Sequence, residues 1–139
     1  MNIRPATKED FASCVSMGLE FVEMAGFEPV EDKVKQTIDN LIETESLLVA
    51  GEPATGMIGG IIYPHYFNDE VIAQELFWWV SPLHRGSGIK LLNAFEEWAE
   101  KRGADKVMMI SLEKNDVSRI YTKRGYSALE HTYEKTLWQ

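Results

Sequence analysis

The 139-residue chain carries 14 Lys and Arg against 22 Asp and Glu, for a net charge of −8, with 45% hydrophobic and 26% charged residues. This length suits one domain with a proper core, and this balance excludes a disordered chain. The acidic total argues against nucleic acid as the main partner, because phosphate binding needs clustered Lys and Arg.

The apolar runs LFWWV and LLVA are too short to cross a bilayer, so no membrane association is expected. The opening MNIRPATKED has no apolar core of a secretory signal, and the single Cys14 has neither a disulfide partner nor a CxxC neighbour. Together these features predict a cytoplasmic protein with Cys14 as a packing residue.

Residues 2–6 read as a first strand. Thr7 followed by Asp10 resembles a capping box, and Phe11, Val15, Leu19 and Val22 then recur at helical spacing until Gly26. A second helix is predicted over 31–44, with Val34, Ile38, Leu41 and Ile42 on one face. Ser46–Ala50, Met57–Tyr63 and Ala73–Val80 read as three strands of an antiparallel meander, turning at 52–56 and looping at 64–69. A helix from Ser87 to Arg102 would bury Leu91, Leu92, Phe95, Trp98 and Ala99, with Gly103 as the residue after its cap. Lys106–Leu112 has no alternation and predicts a strand covered on both faces. A short helix over Asp116–Arg124 ends at Gly125, and the alternating Leu129, His131, Tyr133, Lys135 and Leu137 predict a final edge-type strand. The order is β-α-α-β-β-β-α-β-α-β, which implies an α/β domain spanning 1–139 with a mixed sheet between helices.

The segment Trp79–Lys90 joins strand to helix through Pro82, Arg85, Gly86 and Gly88. A helix N-terminus exposes unpaired N–H groups and partial positive charge, which attracts anions. Glycines permit positive φ and close ligand approach, and Arg85 and Lys90 add full charges. The stretch lacks the Lys-Ser/Thr of a Walker loop and the third glycine of a dinucleotide fingerprint.

Val80-Ser81-Pro82-Leu83-His84-Arg85-Gly86-Ser87-Gly88-Ile89 resembles the acyl-CoA-binding motif of the GCN5-related N-acetyltransferase family, Arg/Gln-x-x-Gly-x-Gly/Ala preceded by Val-x-Pro. Lys90 stands where that motif has a small residue, so it either turns away or contacts phosphate directly. Tyr121-Thr122-Lys123-Arg124-Gly125-Tyr126 is similar to the Tyr-x-Lys-x-Gly-Tyr/Phe ending of the family's last helix, and Ile3-Arg4-Pro5-Ala6 to its usual start.

The resemblance implies acetyl-CoA as co-substrate and direct acetyl transfer to a primary amine of a small molecule or peptide, with no covalent enzyme intermediate and no metal. It places acetyl-CoA against Trp79, Val80, Arg85, Gly86, Ser87, Gly88, Ile89 and Lys90, with Asn115 either on the pantetheine arm or capping the next helix. Tyr121 becomes the general acid for the leaving thiolate, or else a core tyrosine. Glu75 becomes the base for the amine, or else a solvent-facing strand residue. Simple alternation groups Glu75 with Phe77 and Trp79, although the family often bulges this strand. Trp78 and Trp79 wall an acceptor site or belong to the core. Acidic residues Glu20, Glu23, Glu28, Glu31, Asp69 and Glu70 in the implied acceptor region favour a cationic amine. A homodimer is left open. The alternative is a non-catalytic CoA-binding or protein-interaction module with the same fold.

Overall fold

A computed structural model describes residues 2–138. Strand β1 (Ile3–Pro5) is followed by a 3-10 turn at Lys8–Asp10 and helix α1 (Phe11–Ala25). Asp10 is what joins them. Its carboxylate accepts the Thr7 N–H at 2.8 Å and both terminal nitrogens of Arg4 at 2.7 and 2.9 Å. That guanidinium holds the carboxyl below its usual range despite burial. Helix α1 ends at Gly26, whose φ of 95° is the left-handed conformation that closes helices at low cost.

Helix α2 (Glu31–Glu43) leads to β2 (Leu47–Ala50), β3 (Gly56–Pro64) and β4 (Val71–Val80). A second 3-10 turn, Pro82–Ser87, runs into α3 (Gly88–Lys101), then β5 (Lys106–Met108) and α4 (Ser118–Lys123). The five strands lie in the order of their numbers, antiparallel except for β4 and β5, which are parallel.

Two apolar clusters cover the sheet, one on each face. Cys14, Met17, Ile38, Leu41, Met57 and Phe77 pack under α1 and α2. Ile58, Val80, Leu91 and Phe95 pack under α3, with Trp78 and Trp98 at the margin. Helix α3 is also tied to the α2–β2 junction, where Trp98 Nε1 donates to the Glu45 carbonyl at 3.0 Å and Arg102 to the same carbonyl at 2.9 Å.

Two expectations are corrected. The strand after α3 pairs only over Lys106–Met108, not to Leu112, and is half-buried rather than covered on both faces. It pairs on one side alone, and from Met109 the backbone turns to other partners. The alternating segment 129–137 forms no strand among the described residues, and all of 127–138 is exposed. Alternation records which residues suit a strand, but a strand needs an edge to pair with.

Candidate active site

The pairing of β4 with β5 stops at Gln74–Met108, so Glu75–Val80 are laddered to β3 on one side only. Gln74 Nε2 clips this fork by donating to the carbonyls of Glu75 and Met108 at 3.0 and 3.3 Å. Beyond it the two chains diverge, and the side chains of interest collect there.

A bulge decides which of them meet. Gly59 lies opposite Phe77 but Gly60 lies opposite Glu75, so Leu76 is the extra residue. A Cβ on Gly59 would press on Phe77 and Leu41, whereas one on Gly60 would press on Phe95 of α3. Cross-strand partners share a face, so Glu75 sits on the α3 side with Trp78 and Val80, while Phe77 and Trp79 stay on the α1 side. The grouping of Glu75 with Phe77 and Trp79 by alternation is thereby corrected.

Glu75 is buried, with 3% of its surface exposed, so it is not solvent-facing. Burial raises its carboxyl from 4.5 to about 7, and an accepted hydrogen bond from the Ile110 N–H at 2.9 Å opposes this only in part. The carbonyl of the same Ile110 accepts the Tyr121 hydroxyl at 2.7 Å. Tyr121 is buried, and desolvation, with the Glu75 carboxylate second, pushes its phenol well above the ordinary tyrosine value. Its ring centroid lies 6.2 Å from Trp78 and 5.5 Å from Tyr126. Thus one residue's N–H and C=O bind the acidic and the phenolic candidates together.

At the other end of β4, Arg85 Nε donates to the Val80 carbonyl at 2.7 Å and its guanidinium lies 5.2 Å from the Trp79 ring centroid. Lys90 is exposed and lines a concavity of about 280 Å³ with Leu83, His84, Gly86 and Ser87. Ser87 is buried and donates to the His84 carbonyl at 3.0 Å, fixing the turn, while Ile89 is exposed. Neither Gly86 nor Gly88 uses positive φ, and Gly88 is helical at −58°. The conformational reason expected for these glycines is therefore absent. The steric one remains open, since a Cβ on Gly86 would find nothing within 4 Å.

Asn115 is exposed, and its N–H donates to the Leu112 carbonyl at 3.1 Å. The start of α4 is organised by Asp116 instead, whose Oδ1 accepts from the Ser118 N–H and the Ser111 hydroxyl, both at 2.9 Å. Glu70 of the implied acceptor region is occupied by Lys106 and Asn68, each at 3.0 Å.

Sequence reasoning overlooked a clamp behind Tyr121. Tyr126 donates its hydroxyl to Glu96 at 2.7 Å, and Arg124 binds both Glu96 and Asn93. These pairs are about thirty residues apart along the chain and leave no local signal. The polar face of α3 was the available hint.

The buried Nε1 atoms of Trp78 and Trp79 have no hydrogen-bond partner among the described residues. Unpaired buried donors are costly, and here they lie in the strand that borders the fork. The two lie on opposite faces of the sheet, so they form no joint site; the open space over Gly86 and the cation at Lys90 are what an anionic ligand could meet.

The half-zipped β4–β5 pair, the buried Glu75 and Tyr121 on Ile110 and the glycine turn into α3 thus lie along the second half of β4. A family model described as the acetyltransferase (GNAT) family matches residues 17–126, and the chain belongs to that family. A putative acetyltransferase from Arthrobacter sp. FB24 is 27% identical with a TM-score of 0.74, over 100% of this chain and 94% of that one. A predicted acetyltransferase from Clostridium acetobutylicum, solved with acetyl-CoA, is 20% identical with a TM-score of 0.74, over 98% and 96%. An aminoglycoside 6'-N-acetyltransferase from Acinetobacter haemolyticus is 19% identical with a TM-score of 0.76, over 100% and 99%. No curated protein matches the chain in sequence. No helix among the described residues is long and apolar enough to cross a membrane.

Proposed function

We propose that the chain is an acetyl-CoA-dependent N-acetyltransferase that moves an acetyl group directly to a primary amine of a small molecule or peptide. The observation that carries this reading is the convergence of Glu75 and Tyr121 on Ile110 at the fork between β4 and β5. Acetyl-CoA supplies the activated acyl group as a thioester. Its binding is assigned to Trp79, the backbone of Val80, the Gly86–Gly88 turn with Ser87 and Ile89, and the charges of Arg85 and Lys90.

The protons are handled by the other two groups. A carboxyl titrating near 7 is half ionised at neutrality, and its ionised form accepts the proton that the acceptor's ammonium must lose before the neutral amine attacks the thioester. A phenol kept protonated by burial is a donor at every working pH, and it serves a departing thiolate by exchanging the Ile110 carbonyl for sulfur as its acceptor. The acceptor is proposed to be cationic, in keeping with the net charge of −8 and with the family relative that acts on aminoglycosides. Incubation with acetyl-CoA and a panel of polyamines, aminoglycosides and short peptides, read by release of free CoA thiol, tests the reading. Acetylated amine appearing with stoichiometric thiol supports it; CoA binding without transfer to any amine favours the non-catalytic alternative.

A further inference from the structure

Tyr121 is the buried side chain of α4, a helix of six residues. A helix this short does not hold itself together in water, so the place of its phenol depends on outside ties. Those at its start, made by Ser111 and Asp116, are local and lie within residues 111–118. Its end is tied to another element.

Past the helix, the Tyr126 N–H returns across Gly125 to the Tyr121 carbonyl at 3.0 Å, and the two rings lie 5.5 Å apart. Tyr126 therefore moves with Tyr121. Glu96 of α3 grips this pair from the body of the molecule. One of its carboxylate oxygens accepts the Tyr126 hydroxyl at 2.7 Å and the other accepts Arg124 at 2.6 Å. Asn93, one turn earlier on α3, accepts from the same Arg124 nitrogen. Burial first, and the bond to Glu96 second, raise the Tyr126 phenol, so it keeps the proton that it donates. Glu96 follows Phe95, which is buried in the core and stacks on Trp98 with ring centroids 5.2 Å apart, so the grip comes from a packed element.

We propose that Glu96 is a positioning residue for Tyr121: its carboxylate ties the end of α4 to α3 and so keeps the phenol at the fork, on the Ile110 carbonyl. Glu96 touches Tyr126 and Arg124 and acts through them. The consequence for catalysis rests on the proposed role of Tyr121 as the acid. A misplacement of about 1 Å, caused by a change far from the chemistry, costs up to about 10²-fold in rate.

Two measurements decide it. Glu96→Ala should lower kcat by roughly 10–10²-fold and leave the KM for acetyl-CoA unchanged. Glu96→Gln keeps an acceptor for the Tyr126 hydroxyl and should recover much of that loss. In a Tyr121→Phe background the same Glu96→Ala should cost nothing further, because the group it positions is gone. Equal losses in both backgrounds would mark a merely structural residue and overturn the proposal, as would an unchanged kcat. Hydrogen exchange reads the clamp without turnover: in Glu96→Ala the Tyr126 amide should exchange faster while the amides of α3 stay protected. If the parent transfers acetyl to no amine, the catalytic reading fails and exchange alone decides the clamp. Faster exchange then upholds it, and unchanged exchange overturns it.

Discussion

Glu75 is a single buried group through which both stability and the proposed mechanism can be tested. Its carboxyl is raised from 4.5 to about 7, so between these values the unfolded chain ionises while the folded chain keeps its proton. Stability therefore falls as pH rises through that window, by about 3 kcal/mol for a shift of this size. Glu75→Gln keeps an oxygen for the Ile110 N–H and removes the charge. Thermal unfolding should find the variant near the parent below 4.5 and clearly more stable above 7. Turnover should fall, and the acidic limb of its pH profile near 7 should vanish. A stability difference that does not change across the window would mean that the carboxyl is not desolvated. For Tyr121→Phe the ring packing survives, but the Ile110 carbonyl loses its donor, at about 1–3 kcal/mol. Loss of the proton donor should lower turnover by roughly 10²–10⁴-fold with acetyl-CoA affinity little changed. Stability lost with turnover retained would remove the tyrosine from the chemistry.

At the scale of elements, the bulge in β4 and the turn into α3 are set by different constraints, and two glycine substitutions separate them. On Gly60 a Cβ would stand 2.5 Å from the Gln74 carbonyl oxygen and 2.6 Å from the Phe95 ring. Gly60→Ala must therefore shift backbone or core, costing about 1–3 kcal/mol, and it should disturb turnover because the same bulge aims Glu75. On Gly86 a Cβ meets nothing within 4 Å. Gly86→Ala should leave unfolding within about 0.5 kcal/mol of the parent, yet weaken acetyl-CoA in calorimetry if a ligand approaches that backbone. Unchanged affinity would place the pyrophosphate elsewhere.

Across the whole molecule, charge is divided rather than spread. The segment 101–124 carries +4 within a total of −8, leaving −12 for the rest. The anionic co-substrate and the cationic acceptor of the proposed reaction would then be drawn to different regions of one surface, and both attractions would weaken with salt. Acetyl-CoA should raise thermal stability by about 2.7 kcal/mol at one hundred times its dissociation constant. ATP, which lacks the pantetheine arm, should do much less. Equal stabilisation by both would mean that the site reads phosphate alone.

Sequence by itself determined what depends on neighbours a few residues apart. The bounds of α1, α2 and α3, their apolar faces, and Gly26, Gly103 and Gly125 as left-handed helix ends were legible because helical periodicity and capping are local. The glycine turn and the Tyr121–Tyr126 ending were legible for the same reason, and with them the family. Tertiary structure alone decided the site's geometry. The face that Glu75 occupies depends on a one-residue slip against β3, which no alternation within β4 reports. The partner of the Tyr121 hydroxyl is a backbone carbonyl on the diverging chain after β5, where the strand expected to reach Leu112 has already ended. Likewise, 129–137 has a strand's composition without being one, because a strand is completed only by the edge it pairs with, and among the described residues it is laddered to none.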